Sequence, residues 1–206
     1  MAKVALNKSS LNKEKRSLKT YNRYLPALEL KRQQLMAERK KAEEALAEAR
    51  TELADVERLV QAQLPMLARA DVPVENLVRV KNVKLIDENI VGTTVPAVGN
   101  IDIELTPYSD LAKPHWVDFL VELLQKMVRL RVEYQVRELR HAELDKATRT
   151  TSQRVNLFSK VLIPQTKKNI QKIQIYMSDQ DRASVMNAKL SKGKVLAQEA
   201  KAAAAG

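Results

Sequence analysis

LNKEKRSLKTYNRYLPALELKRQQLMAERKKAEEALAEARTELADVERLVQAQLPML, residues 11–67, repeats its apolar side chains every seventh position. One register runs Leu11, Leu18, Leu25, Arg32, Arg39, Leu46, Leu53, Val60 and Leu67. A second, three residues on, runs Glu14, Tyr21, Leu28, Leu35, Ala42, Ala49, Val56 and Gln63. That offset is the one between positions a and d of a heptad. Seven of the nine a positions are apolar, and six of the eight d positions are apolar or Tyr. A seam sustained this long predicts a coiled-coil helix rather than an amphipathic surface helix. At 1.5 Å per residue it would be roughly 85 Å long. Pro26 removes one backbone donor from it and predicts either a kink near Leu25 or a short first helix with Pro26 opening a second. At Arg32 and Arg39, consecutive a positions, the stems are expected to pack while the charges snorkel outward, or the seam is loosened there to meet an outside partner.

A helix of this kind needs a partner, and the chain holds a second long candidate. WVDFLVELLQKMVRL, residues 116–130, is the most apolar stretch, and a helix is expected to begin near Ser109 or Asp110 with Pro114 in an early turn. Residues 137–154 are polar, with Leu139 and Leu144 as thin anchors, and are taken as a candidate contact zone for a partner. Apolar spacing resumes at Val155, Phe158, Leu162, Thr166, Ile170, Ile173 and Met177, in steps of three and four. Pro164 predicts another kink. Beyond Gly193 the chain ends in KAAAAG and is expected to fray.

Between the two helices the composition changes. Pro73, Pro96, Pro107 and Pro114, four of the seven prolines, lie here, as do Gly92 and Gly99. VRVKNVKLI, residues 78–86, is rich in β-branched residues and is followed by the turn-like Asp87-Glu88-Asn89. NIDIEL, residues 100–105, alternates at period two. A β-hairpin or small three-stranded patch is expected, leaning on a helix because it cannot stand alone. Removing 78–105 is expected to leave the long helices standing. The fold class is therefore all-α dominated: a long antiparallel two-helix coiled coil with a small central insert bearing a β-hairpin. The expected layout is 1–67 for the first helix, 68–113 for the insert, 114–192 for the second helix and 193–206 for a flexible tail.

Charge and composition narrow the function. The chain of 206 residues carries 36 Lys+Arg against 25 Asp+Glu, a formal net charge of +11. Residues 1–40 hold 11 basic and 3 acidic side chains and residues 151–206 hold 10 and 3, so the excess belongs to the two ends. An antiparallel pairing gathers both ends at one tip, which suits an acidic partner. With aromatics at 4% and 4 glycines, a long helical seam fits better than a large globular core. No cysteine is present, which excludes disulfides, a thiolate nucleophile and a Cys-based zinc site. The first ten residues lack a signal-peptide h-region, and no apolar run is long enough to span a membrane, so a soluble intracellular protein without membrane insertion is expected. Gly92 and Gly99 fit no phosphate-binding loop. Asp102 and Glu104 read as one solvated strand face, His115 as a helix-start residue and His141 as solvent-exposed. These residues point to neither enzyme chemistry nor a cofactor or metal site.

Two segments resemble a known family. Arg154-Val155-Asn156-Leu157, then Val161-Leu162-Ile163-Pro164, then Asn169-Ile170 and Ile173, resemble the signature helix of the D subunit of V-type rotary ATPases. Leu28, Lys31-Arg32 and Leu35 look like that family's L-x-x-K-R-x-x-L on its first long helix. Glu29 stands where the family usually has Lys, and the tail 177–194, MSDQDRASVMNAKLSKGK, is thin in charge. These departures imply a divergent bacterial branch. The resemblance implies a non-catalytic central rotor stalk that transmits torque between a catalytic hexamer of A and B subunits and a membrane ring translocating protons or sodium. It further implies docking of the small F subunit of the rotor and of the funnel-shaped C (or d) subunit on the ring, with the chain peripheral on the cytoplasmic side of the membrane. Competing readings are a basic coiled-coil nucleic-acid-binding protein, which the scarcity of aromatics and the missing recognition motif disfavour, and a generic scaffold.

Overall fold

The computed structural model describes residues 5–65, 77–107, 114 and 116–203, with side chains through residue 197. Leu67, His115 and the helix start expected at Ser109 or Asp110 lie outside the described residues. Helix α1 spans Lys8–Gln63, strands β1 and β2 span Val78–Ile90 and Thr93–Leu105, and α2 spans Trp116–Asn156. A π-helical segment, Leu157–Leu162, follows directly, and α3, Ile163–Ala203, continues from it. The protein is dominated by long helices, with one two-stranded antiparallel sheet among the described residues.

The heptad decides α1. Every a and d position from Leu11 to Val60 is buried or half-buried, and Leu35, Ala42, Ala49, Leu53 and Val56 are the most enclosed. The helix opens on a cap, since the Asn7 Oδ1 accepts the Ser10 N–H at 2.7 Å. It runs through Pro26 as one element, so the alternative of a short first helix is corrected. Proline deprives only the Asn22 carbonyl of its donor, and the seam on both sides holds the helix together. At the other end α2 begins at Trp116, with Pro114 ahead of it and not within its first turn. The Pro114 carbonyl accepts the Val117 N–H at 3.0 Å, and Asp118 lies in the first turn, where the helix dipole favours it. Helical backbone passes Gly193 and reaches Ala203, beyond the expected end at 192. One glycine costs only about 1 kcal/mol relative to alanine, and Ala, Lys, Leu and Glu around it are strong helix formers.

The hairpin turns later than its composition suggests. Its two-residue turn is Val91-Gly92, flanked by the Ile90–Thr93 pair, and not Asp87-Glu88-Asn89. Both turn residues have positive φ, 51° and 70°, as a type I′ connection requires. Asn89 supports the turn through its Oδ1, which accepts the Gly92 N–H at 2.8 Å. Register shifts fall between Val80 and Asn82 and between Lys84 and Leu85, leaving Lys81 on β1 and Gly99 on β2 as extra residues. A Cβ on Gly99 would stand 2.9 Å from the Lys84 carbonyl oxygen and from Ile86 Cγ1, so this bulge needs glycine.

The chain divides into two compact units: Leu30–Ser152 forms one, and the chain on either side of it forms the other. In the first, α1 and α2 are antiparallel, since Arg39 meets Asp145 while Ala45 meets Arg137. Two buried clusters fix the hairpin to this pair. Leu64, Leu77, Val117, Leu120 and Val121 join the end of α1, the start of the hairpin and the start of α2. Leu35, Ala42, Val95 and Leu144 enclose the far end of the hairpin, with Ile90 and Val91 packed against them. In the second unit the Tyr21 and Phe158 rings meet edge to face, with centroids 5.4 Å apart. Among its described residues Val155, Ile163, Thr166 and Ile173 are buried, Ile173 completely so.

Candidate functional site

The two signature segments differ in what their side chains do. On α1, Leu35 is fully buried beneath Val95 of the hairpin and Leu144 of α2. Lys31, one turn earlier, is half-buried, and its Nζ lies 3.3 Å from where a Cβ on Gly92 would stand. This segment therefore seats the hairpin turn. Leu28 is half-buried at its d position. Arg32 is also half-buried, and its Nε is enclosed with no hydrogen-bond partner.

The second segment straddles the junction of α2, the π segment and α3. Val155, Ile163 and Ile173 point inward, and Pro164 and Ile170 are half-buried. Arg154 and Asn156 are exposed, as are Leu157 and Val161 at 46% and 48%. So an inward face alternates with an outward face of mixed polar and apolar character. The inward groups hold the helix in place, and the outward ones are exposed.

Sequence reasoning missed the polar locks of the first unit. Arg39, an a-position residue expected to snorkel outward, reaches across and gives its Nη1 to Asp145 Oδ1 at 3.1 Å. Asp145 also receives Arg149 Nε at 2.7 Å, so one carboxylate bridges an arginine on each helix. Arg137 donates to the Ala45 carbonyl at 3.1 Å and sits 3.5 Å from Glu133. Arg140 pairs with Glu88 of β1 at 3.1 Å. These contacts occupy the polar stretch 137–154, whose thin apolar content marks it as a weak seam in the sequence. Of its two expected anchors, Leu144 is fully buried and Leu139 is 54% exposed. His141, expected to be solvent-exposed, is half-buried. Glu133 and Asp145, each four residues before an arginine, are local signals; the cross-helix partners become visible only with the register known.

Among the described residues no group of three His, Cys, Asp or Glu side chains could hold a metal ion. Asp102 receives a hydrogen bond from Asn100 Nδ2 at 2.8 Å, while Glu104 is exposed beside it on β2. No described helix is long and apolar enough to cross a membrane. The geometry of this unit is that of a helical pair whose register is fixed by contacts between its own side chains.

The family model for the D subunit of ATP synthase matches residues 10–193. The D subunit of the V-type ATP synthase of Borreliella burgdorferi is 36% identical over 196 residues, covering 95% of this chain and 96% of the relative. Those of Chlamydia pneumoniae and Chlamydia caviae are each 32% identical, over 200 and 199 residues; the first alignment covers 96% of both chains and the second 94% of both. The chain belongs to the family of ATP synthase D subunits.

Proposed function

We propose that this protein is the central rotor stalk of a V-type ATPase or ATP synthase, a subunit without catalytic chemistry of its own. The observation that carries the reading is the long α1–α2 pairing, held in register by Arg39–Asp145 and Arg137–Ala45 and belonging to a chain that this family matches over residues 10–193. Torque transmission asks for a stiff element, which a paired helix supplies and a flexible linker does not. Its partners are the catalytic A and B subunits, the small F subunit and the funnel-shaped component on the membrane ring, and its place is peripheral, at the cytoplasmic face.

The distal part of α3 supports the partner assignment. Every side chain from residue 178 to 197 is exposed, among them Val185, Met186, Leu190, Val195 and Leu196 at 51–61%. A helix carrying so many exposed apolar groups among lysines fits enclosure by a partner with acidic and apolar lining. The A and B hexamer is that enclosure in this reading. Arg154, Asn156, Leu157 and Val161 are outward groups for the same purpose.

Co-expression with the A, B and F subunits of the same source tests the proposal. A stable complex with one copy of this chain per hexamer, and rotation of a probe attached to the chain during ATP hydrolysis, is the expected result. Failure to enter the complex, together with tight DNA binding at about 0.15 M salt, would establish the nucleic-acid reading in its place.

A further inference from the structure

Helix α1 presents an unbroken heptad, continuing through Pro26, but the helix that follows α2 does not. From Leu144 to the end of α2 the buried positions are Leu144, Thr148, Thr151 and Val155, in steps of four, three and four. Beyond the π segment they resume at Ile163, Thr166, Ile170 and Ile173, in steps of three, four and three, with Ile170 half-buried. From Val155 to Ile163 is eight residues, one more than a heptad. The π segment, Leu157–Leu162, lies inside this interval, and the Ile163 N–H bonds to the Phe158 carbonyl five residues back. A π turn absorbs one residue more than an α turn. Without it Leu162, Gln165, Asn169 and Lys172 would replace Ile163, Thr166, Ile170 and Ile173 in the seam. Two amides and an ammonium would then be buried without partners.

Both helices are weakened near the Tyr21–Phe158 contact, one on each side of it. Pro26 leaves the Asn22 carbonyl without its α-helical donor, and Pro164 supplies no N–H just after the π segment. The Tyr21–Phe158 ring contact ties the helices together between these defects. Proline and π turns are both recognised causes of sharp helix bending.

We propose that residues 21–26 of α1 and 157–164 of its partner form a flexure. Bending is concentrated at this level, and the extra residue keeps the seam in phase through it. Its use rests on the stalk reading, because a stalk loaded at both ends deforms first at its softest section. The flexure itself is a property of the isolated chain and stands or falls separately.

Amide hydrogen exchange on the full chain tests it. Protection is expected to dip about tenfold at residues 22–25 and 158–163 and to recover at 166–173, nearer the chain end. A monotonic decline from 144 towards 177 would mean ordinary end fraying and would overturn the proposal. Deleting exposed Lys160 removes the extra residue, so the dip at 158–163 should vanish with the melting temperature kept or raised. Deleting Lys146 puts Thr148, Thr151 and Val155 out of phase and should destabilise. Equal loss of stability in the two deletions would also sink the idea. If the deletion of Lys160 fails to fold while that of Lys146 folds, the extra residue is not a phase correction. In the reconstituted complex, loss of coupling in the Lys160 deletion with assembly retained would assign the flexure to torque transfer. If the wild-type chain does not assemble while its exchange dip is present, the stalk reading fails and the flexure remains.

Discussion

The section around Leu35 and the section around Phe158 solve one problem, holding two helices in register, by different means. At Leu35 the pair is covered by a third layer. The hairpin brings down fully buried Val95, and Arg39–Asp145 and Arg137–Ala45 lock the crossing. At Phe158 there is no third layer among the described residues, one ring contact spans the helices, and the backbone carries an extra residue. Specific polar contacts tolerate no slip, because any other register leaves a guanidinium or carboxylate without its partner. A lone aromatic contact beside a π turn tolerates adjustment. In the flexure proposal, side-chain contacts supply the stiffness at Leu35 and a backbone irregularity supplies the compliance at Phe158.

The largest effect should come from Leu35→Ala. It empties the centre of the cluster formed with Ala42, Val95 and Leu144, and a fully buried leucine lost to a partly relaxing cavity costs about 2–5 kcal/mol. Chemical denaturation of the isolated chain measures it. A cost below about 1 kcal/mol would mean that the hairpin does not seal this cluster in solution. The sequence reading treats the hairpin as separable from the helices. Val95 at 0% exposure makes its far end part of the core, so deletion of 78–105 should cost at least as much as Leu35→Ala.

Asp145→Ala comes next. Its carboxylate bridges Arg39 and Arg149 with 22% of the side chain exposed, so solvent screening reduces the loss to about 1–2 kcal/mol. A double-mutant cycle with Arg39→Ala should return most of that as coupling. No coupling would show that the arginine merely packs its stem. Phe158→Ala should cost about 1 kcal/mol, largely the edge-to-face contact with Tyr21. If it costs as much as Leu35→Ala, the contrast between the two sections collapses.

How legible these features were depended on whether a residue's neighbours lay in its own helix. Leu11 to Val60 announced their burial through spacing, because the heptad belongs to one helix. The π segment was hidden by averaging: steps of three and four from Val155 to Met177 lie close to a helical period, and the one extra residue shows only against buried positions. The turn was misplaced for a different reason. Asp87-Glu88-Asn89 has turn composition, yet Glu88 is used by Arg140, a contact made only after folding, and Asn89 accepts the Gly92 amide of the turn that follows. Val91 at φ 51° is among the least expected turn residues, since a β-branched side chain is rarely left-handed. Its packing against the Leu35 cluster supplies the reason. Arg154 and Asn156 in the C-terminal signature face solvent, so internal packing gives no account of them.

The smallest effect on stability should come from the distal part of α3, and there the comparison reaches function. Val185, Leu190 and Val195 are 55%, 61% and 51% exposed, and no described side chain around them is buried. Replacing all three with Ser removes apolar surface that folding does not enclose, so denaturation should shift by no more than about 0.5 kcal/mol. If a partner encloses this helix, the same triple variant should lose hexamer binding, by about 1–2 kcal/mol per side chain removed from a buried site. Pull-down with the A and B subunits, alongside the denaturation curve, separates the two readouts. Retained binding with unchanged stability would leave these side chains without a function and move the proposed enclosure elsewhere along the chain. Lost stability would mean that the helix is packed within the chain after all. Lost binding with stability intact is the outcome that makes the exposed helix the gripping end and the hairpin-covered section the stiff one.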